Sequence, residues 1–486
     1  MPDSDTHTAP TALPPPVYTG PELCRLSAVD AVKALESGEV SATEMLDAAL
    51  SRIEAVEPEI NAMPTLCPER ARAHAAALTR GNAKTWLAGL PIGIKDLTPV
   101  AGVRTTLGST GMANHVPDTS DPLVERLEQR GGIVLGKTNT PEMGAGGNTF
   151  NDVFGMTRNP WNTALNAGGS SGGAAASLAT GEVWLSHGSD LAGSLRTPGA
   201  YCGVLGLRPS PGRCGGGPAD YAFSIEGVQG PMARTAADCA LFLDAMAGFD
   251  PRQPLSLPEP ATSFSDAVAR AEPPKRIAFA PDQNGFAPVE PEVRDLLSAA
   301  MKRLEGTGTI VEEACPDLPG LYDCYCHLRG MFWAAMPGKL PAEISQHFKD
   351  TLKINISFGQ NLTGDQMITA QRTRSRLYSI MEHFLRGYDA LAIPVIGLAS
   401  FPVETEFPPE VDGTPCEDYL DWLKFSFLAT TVALPAISIP VGFTRNGAPM
   451  GIQMIGRPRG EAGLLQIARV MEQITDGFGS PIDPRS

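Results

Sequence analysis

The chain has 486 residues, of which 42% are hydrophobic and 19% are charged, and its formal net charge is −16. This length and composition allow a sizeable buried core. The acidic balance argues against nucleic acid or an anionic membrane as a partner, but it does not limit a small neutral substrate.

The first 20 residues are polar and rich in proline, and they predict a loose N-terminal arm. They lack the basic start and the apolar stretch of a signal peptide, and no apolar run in the chain approaches the ~20 residues of a membrane helix. We therefore expect a cytoplasmic protein. Further on, Ser41 and Glu44 predict a capping box that begins a helix, and Pro58 is expected to end that helix.

From about residue 86, short apolar runs alternate with glycine-rich turns and helical stretches. Four of the runs predict buried strands at residues 133–135, 277–280, 390–395 and 436–441. The alternation indicates an α/β fold with a mixed, mostly buried central sheet that is covered by helices on both faces. Residues 21–486 are predicted to form a single domain, with a variable helix-rich cap or insert at about 290–385.

Two short motifs suggest other chemistries. Residues 131–138 match the phosphate-binding P-loop pattern, but a strand-like Ile-Val-Leu run occupies the place of the flexible phosphate cradle. Residues 168–172 match the nucleophile elbow of α/β-hydrolases, and histidines lie downstream, so chain order alone does not exclude that class. The wider sequence context favours another arrangement.

The nine cysteines are scattered and odd in number, which does not indicate a disulfide framework. Cys324 and Cys326 lie beside His327 and could supply half of a metal site. No second pair lies at ligand spacing, so we expect neither a metal nor another cofactor.

Four longer segments carry a joint pattern that is far more specific than either short motif. They are GLPIGIKDL at 89–97, NAGGSSGGAAA at 166–176, GSDLAGSLRTP at 188–198 and CGVLGLRP at 202–209. Together they resemble the amidase signature family over roughly residues 40–245, and the resemblance resumes more weakly at 385–475. It implies that family's α/β fold and a serine hydrolase that cleaves carboxylic amide C–N bonds through an acyl-enzyme. Esters and carbamates meet the same chemistry.

The resemblance implies a role for three side chains: Ser194 as the nucleophile, Lys95 as the base and Ser170 as the bridge between them. It also implies a cis peptide bond between Gly169 and Ser170, with Ser171 as a supporting residue. A lysine acts as a base only when it is neutral, so burial must lower its pKa from about 10.4.

The surroundings of two of these side chains suit the roles. Apolar residues flank Lys95, and on an extended segment Asp96 would point to the opposite face. The run of small residues before Ser194 leaves its hydroxyl open to close approach. Asp190 and Arg196 flank this turn and are expected to brace it by an ion pair or backbone hydrogen bonds. An oxyanion hole is predicted from successive backbone N–H groups, those of Leu191, Ala192, Gly193 and Ser194.

Three positions depart from the family pattern. Ala192 stands where glycine is usual, and the oxyanion hole should survive if this residue does not need a positive φ. Thr430 and Ala433 stand where the family often has asparagine and glycine. These changes remove no reacting group, although they can reshape the pocket.

An apolar pocket wall is predicted from the aromatic residues between Tyr322 and Trp333 and from Phe223. Such a wall would favour aryl or alkyl amides. A small-molecule amide is the expected partner, nucleic acid and membranes are not, and a homodimer agrees with the family. Two other functions stay open: a glutaminase of the amidotransferase type that works in a tRNA-dependent complex, and a non-catalytic binding protein on the same scaffold.

Overall fold

The computed structural model describes residues 17–78, 86–217 and 219–486, so most of the predicted N-terminal arm lies outside the described residues. The strands are Thr65–Leu66 (β1), Pro91–Lys95 (β2), Ile133–Thr138 (β3), Phe150–Asn151 (β4), Gly155–Met156 (β5), Arg158–Asn159 (β6), Asn162–Asn166 (β7), Leu185–Asp190 (β8), Leu205–Arg208 (β9), Val228–Ala233 (β10), Arg276–Phe279 (β11), Ile310–Glu313 (β12), Ala390–Pro394 (β13), Glu410–Val411 (β14), Thr414–Pro415 (β15), Ala436–Phe443 (β16) and Pro449–Gly456 (β17).

The α-helices are Glu22–Arg25 (α1), Ala28–Ser37 (α2), Ala42–Ile60 (α3), Pro68–Ala77 (α4), Pro122–Gln129 (α5), Gly172–Thr180 (α6), Arg196–Cys202 (α7), Ala236–Met246 (α8), Phe264–Ala269 (α9), Pro291–Glu305 (α10), Leu321–Ala335 (α11), Ala342–Ser345 (α12), Asp350–Gln360 (α13), Gly364–Phe384 (α14), Phe427–Thr431 (α15) and Glu461–Gln473 (α16). Short 3₁₀ turns lie at Thr110–Met112, Glu142–Gly144, Ala219–Tyr221, Pro337–Lys339 and Asp421–Ser426. None of the described helices combines the length and the apolar character that crossing a bilayer demands.

Eleven of the strands form one mixed central sheet in the order β1-β3-β2-β8-β10-β9-β16-β17-β13-β11-β12. Strand β2 runs parallel to both β3 and β8, whereas β10 runs antiparallel to β8. All four predicted buried strands lie in this sheet, as β3, β11, β13 and β16. Helices α6, α8 and α16 pack against its strands. The expected mixed α/β fold is confirmed.

Helix α3 begins at the predicted capping box, in which the Ser41 side chain and the Glu44 side chain each accept the other residue's backbone N–H. The prediction that Pro58 ends this helix is wrong, because the helix continues to Ile60. Asn61 ends it instead, with a left-handed φ of 54°. Pro58 has no N–H to donate to the Glu54 carbonyl, but it is the third residue from the end of the helix, so the loss falls in the last turns.

The region predicted as a cap, residues 290–385, contains helices α10 to α14. Within it, β12 is an edge strand of the central sheet and pairs with β11 in parallel. Helix α11 packs against both α13 and α14. The helix-rich character is therefore as expected for residues 321–384, and the bounds of a cap stay a prediction.

Candidate active site

Two neighbouring parallel strands, β2 and β8, end at the same edge of the sheet. Lys95 is the last residue of β2, and Asp190 is the last residue of β8. The chain after Asp190 turns through residues 191–195 into α7, and helix α6 begins directly after Ser171. Because the carboxyl ends of parallel strands meet at one edge, residues distant in sequence converge here.

The Lys95 side chain is fully buried and is surrounded by serine hydroxyl groups. Its Nζ lies 2.7 Å from Ser170 Oγ, 2.8 Å from Ser171 Oγ and 3.2 Å from Ser189 Oγ. Burial lowers the pKa of Lys95 to about 7, although the Asp190 carboxylate acts in the opposite direction. A neutral amine is therefore accessible near physiological pH.

The serine pair joins this lysine to the turn that carries Ser194. The Gly169–Ser170 peptide bond is cis, as the resemblance implies. The Ser171 backbone N–H donates to the Ser194 carbonyl at 3.1 Å, and the Ser171 hydroxyl donates to the Ser189 carbonyl at 3.2 Å. These bonds fix the start of α6 against both the end of β8 and the turn that follows it.

The Asp190 carboxylate braces that turn. It accepts the N–H groups of Gly193 at 3.2 Å and Leu195 at 3.1 Å, and Arg196 approaches it to 2.8 Å. Arg208 donates to the Asp190 carbonyl at 2.6 Å. Burial alone would raise the pKa of Asp190, but Arg196 and Arg208 hold it below its ordinary value. The expected ion pair of Asp190 with Arg196 is confirmed, and Arg208 adds a second cation.

Backbone angles show which of the two alanines that depart from the family pattern is strained. Gly193 has a φ of +84°, whereas Ala192 does not adopt a positive φ, so the condition set for Ala192 is met. Ala433 has a φ of +55°, which is unfavourable for alanine and explains why glycine suits this position. Thr430 Oγ1 lies 3.4 Å from the Arg196 guanidinium.

Asp96 points away from Lys95, as expected, and faces a second buried lysine. Its carboxylate lies 3.7 Å from Lys137 Nζ and accepts the hydroxyl and N–H groups of Thr106. Lys137 also donates to the Thr98 carbonyl. Lys137 lies within β3 as part of a fully buried strand, so the P-loop pattern does not form a phosphate cradle here.

His187, Ser189 and Gln229 are contacts that the sequence analysis missed. His187 Nδ1 accepts the Lys95 backbone N–H at 3.4 Å, and its Nε2 lies 2.6 Å from Gln229 Oε1. Burial lowers the pKa of His187 to about 3, so the ring is neutral. The available signal was the alternation along β8, which puts His187 and Ser189 on one face of a buried strand.

A cavity of about 590 Å³ opens beside these groups. Ser170 and Ser194 line it, and Phe332 and Trp333 from α11 contribute to its apolar wall. Those two residues confirm part of the predicted aromatic wall. Phe223 does not line the cavity and is 78% exposed to solvent, so the prediction for it is wrong. The wall on that side comes instead from neighbours such as Tyr221.

The cysteines and the histidine at 324–327 have ordinary structural contacts. Cys324 Sγ donates to the Ala370 carbonyl at 3.2 Å, and the His327 ring stacks on Phe358. Across the described ranges, no group of three or more metal-ligating side chains occurs.

Comparison with known proteins identifies the relatives of this chain. The Amidase family model matches residues 44–465. The chain belongs to the amidase family. This amidase is 35% identical to an acylamidase from Rhodococcus erythropolis, over 92% of the chain and 95% of the relative. It is 34% identical to a glutamyl-tRNA(Gln) amidotransferase component from Synechococcus sp. (strain CC9605), over 92% of the chain and 96% of the relative.

Solved structures agree with that assignment. A bacterial aryl acylamidase of the amidase signature family superposes with a TM-score of 0.86 at 28% identity, covering 93% of this chain and 96% of the other. A 6-aminohexanoate cyclic dimer hydrolase, solved with its substrate, superposes with a TM-score of 0.81 at 26% identity, covering 93% and 97%. The amidase described here therefore has the family's fold and is a hydrolase that acts on amide bonds.

Proposed function

We propose that this amidase cleaves carboxylic amides through an acyl-enzyme, with Ser194 as the nucleophile, Ser170 as the bridge and Lys95 as the base. One observation carries the proposal. The buried Lys95 amine lies 2.7 Å from Ser170 Oγ, and Ser170 and Ser194 both line the same cavity. An amide is a poor electrophile, so an activated nucleophile beside a cavity is the feature that its hydrolysis requires.

The hydrogen bonds around Lys95 suit the neutral form of the amine. A neutral amine has two N–H donors and one lone pair. Ser171 already donates its own proton to the Ser189 carbonyl, so its oxygen is free to accept from Lys95. Ser189 Oγ can accept the second N–H at 3.2 Å. The lone pair is then left for the proton of Ser170.

The steps conserve protons throughout. Lys95 takes the proton of Ser170, Ser170 takes the proton of Ser194, and Ser194 Oγ forms a bond to the amide carbonyl carbon. The proton then returns through Ser170 to the departing nitrogen as the C–N bond breaks. Water attacks the ester carbonyl and gives a proton to the same relay, and the carboxylic acid leaves as Ser194 regains its proton. The relay itself uses only these three side chains.

The oxyanion that forms on the carbonyl requires donors that are not already used. The Gly193 N–H donates to the Asp190 carboxylate, so its role is to hold the turn. None of the hydrogen bonds in the described part of the chain uses the N–H groups of Leu191, Ala192 or Ser194. These three amides are the proposed donors to the oxyanion.

The cavity supports aryl or alkyl amides as substrates. Phe332, Trp333, Met336 and Leu340 give one wall an apolar character, and such walls favour apolar substrate groups. The similarity to an acylamidase and to an aryl acylamidase points in the same direction. Esters and carbamates fit the same chemistry. A cytoplasmic location and a homodimer are part of this proposal.

A second candidate function is that of the glutaminase component of a glutamyl-tRNA(Gln) amidotransferase, because a relative of that kind from Moorella thermoacetica is 35% identical to this chain. It predicts glutamine hydrolysis that depends on partner proteins and on a tRNA. A non-catalytic binding protein is the third candidate, and retention of Lys95, Ser170 and Ser194 argues against it.

The test is product release from a panel of anilides, aliphatic amides, carbamates, esters and glutamine by the isolated chain. Ser194→Ala and Lys95→Ala are run beside the wild type. We expect hydrolysis of anilides or alkyl amides, with each substitution lowering kcat/KM by roughly 10³-fold or more. Turnover that survives Ser194→Ala would contradict the mechanism. No turnover on any substrate by the isolated chain would favour the amidotransferase.

A further inference from the structure

One face of helix α11 forms part of the cavity wall. Arg329, Phe332, Trp333 and Met336 all line the cavity. Arg329, Phe332 and Trp333 are spaced three and four residues apart, which puts them on the same side of α11, and Met336 follows directly after the helix ends at Ala335. Three of the four are apolar, so Arg329 introduces a positive charge into a wall that is otherwise apolar. Arg329 is only 3% exposed to solvent.

The partners of Arg329 are neutral. One guanidinium nitrogen donates to the Tyr419 hydroxyl, and another donates to the Asn355 side-chain carbonyl. The guanidinium lies over the Trp333 ring at 5.1 Å and the Tyr419 ring at 5.2 Å from their centroids. Its Nε has no hydrogen-bond partner. Among the described residues, no carboxylate lies within 4.0 Å of this cation.

Three other buried arginines have stronger compensation for their charge than Arg329 has. Arg196 is paired with Asp190 at 2.8 Å, and Arg374 is paired with Glu226 at 2.6 Å. Arg234 has no carboxylate at that distance but its guanidinium lies near four backbone carbonyls. A buried charge is costly unless an opposite charge or several polar groups compensate it. Arg329 has less compensation than these three, and it alone among these four lines the cavity.

We propose that Arg329 binds an anionic group of the substrate, a carboxylate in the first instance. The inference rests on the proposed amide hydrolysis and narrows its substrate class to amides that carry a second, negatively charged group. The planar guanidinium matches a carboxylate in a two-point hydrogen bond. The hydrogen bonds to Asn355 and Tyr419 hold the guanidinium in place, so the bound anion is oriented as well as neutralised.

The contrasting role for Arg329 is a purely structural one. Its bonds to Asn355 and Tyr419 connect α11 to α13 and to the chain before the 3₁₀ turn at 421–426. A brace of that kind would affect stability and the activity toward all substrates in the same proportion. Selectivity between a charged and a neutral substrate therefore separates the two roles.

The experiment uses matched pairs of 4-nitroanilides. Glutaryl-4-nitroanilide is compared with 5-methylhexanoyl-4-nitroanilide, in which an isopropyl group replaces the carboxylate. A second pair carries a carboxylate or an isopropyl group on the departing aniline. The ratio of kcat/KM for the charged and the neutral member is measured within each variant, so that a general loss of activity cancels. Variants are Arg329→Met and Arg329→Lys, with Arg374→Lys as the matched control.

We expect wild type to prefer the charged member of at least one pair. Arg329→Met should lower that ratio by about 10- to 100-fold, as for a lost charge-assisted hydrogen bond. Arg329→Lys should retain part of the preference, and Arg374→Lys should retain all of it. A ratio that Arg329→Met leaves unchanged in both pairs overturns the inference.

Binding to the Ser194→Ala variant gives a readout that does not depend on turnover. Calorimetry with the same pairs should show weaker binding of the charged member when Arg329→Met is added. If binding depends on Arg329 but the wild type hydrolyses no amide, the proposed function fails and the anion site stands. If amides are hydrolysed but neither binding nor selectivity depends on Arg329, the anion site fails and the proposed function stands.

Discussion

Two buried lysines on neighbouring strands of this amidase have opposite surroundings. Lys95 ends β2 among three serine hydroxyls and has no carboxylate within ion-pair distance in the described residues, while Lys137 in β3 has Asp96 at 3.7 Å and the Thr98 carbonyl beside it. Burial lowers the pKa of both, to about 7 for Lys95 and about 8 for Lys137. The difference teaches that burial brings the pKa of a lysine close to neutral pH, while its hydrogen-bond partners decide whether the neutral amine or the ammonium ion is favoured.

The hydroxyls around Lys95 suit a neutral amine, because those of Ser171 and Ser189 can accept its two N–H groups while that of Ser170 can donate to its lone pair. The Thr98 carbonyl and the Asp96 carboxylate beside Lys137 can only accept. The Thr105 hydroxyl donates to the Val103 carbonyl and accepts from Lys137, so all three partners favour the ammonium ion. We therefore propose that Lys95 transfers protons and that Lys137 has a structural role at this end of the sheet. Three substitutions test this contrast.

Asp190→Asn is expected to have the largest effect, because it leaves Arg196 and Arg208 buried without their carboxylate. The free energy of unfolding should fall by about 3–5 kcal/mol, measured by chemical denaturation. The same carboxylate raises the pKa of Lys95, so its loss should shift the acid limb of the kcat/KM profile to lower pH. An acid limb that moves to higher pH in the folded variant would contradict the assignment.

Lys137→Met should destabilise the protein by about 3 kcal/mol at neutral pH, because Asp96 loses its cation. Burial already raises the pKa of Asp96, so protonation relieves the stranded charge and the loss should shrink as the pH falls toward 4. The control is Lys95→Met, which strands no paired carboxylate and should keep the unfolding free energy at or above that of wild type. Equal destabilisation by Lys137→Met and Lys95→Met would contradict the proposed difference between the two lysines.

Ser171→Ala should have the smallest effect. It removes one acceptor for Lys95 while leaving Ser170 in place, so kcat/KM is expected to fall by about 3- to 10-fold. Ser177→Ala is the matched control, because that hydroxyl donates to Ala174 within α6. If Ser171→Ala lowered kcat/KM as much as Ser170→Ala does, the assignment of the relay to Ser170 alone would be contradicted.

Much of the site could be predicted because each of the segments that build it carries a recognisable family pattern. The resemblance of the glycine-rich segment to the amidase signature family implied Ser170 and the cis peptide bond before it. The brace between Asp190 and Arg196 joins residues only six positions apart. Short apolar runs likewise predicted four of the eleven strands of the central sheet. Helix bounds were less predictable, since Pro58 was tolerated near the end of α3.

The contacts that could not be predicted join distant parts of the chain. Gln229 reaches His187 across 42 residues through the pairing of β10 with β8, and Arg329 reaches Tyr419 across 90. Neither pairing follows from periodicity, because strand order and helix placement set them. Phe223 was misplaced for the same reason, because the sequence does not give the direction of its side chain.

The central claim is that Lys95, when neutral, activates Ser194. The most direct measurement is the rate at which a fluorophosphonate probe labels the protein as a function of pH, with the labelled residue found by mass spectrometry. We predict a label on Ser194, a rate that rises as the pH passes through about 7, and loss of labelling in Lys95→Ala. A label on another residue, or a Lys95→Ala variant that is labelled as fast as wild type, would contradict the account.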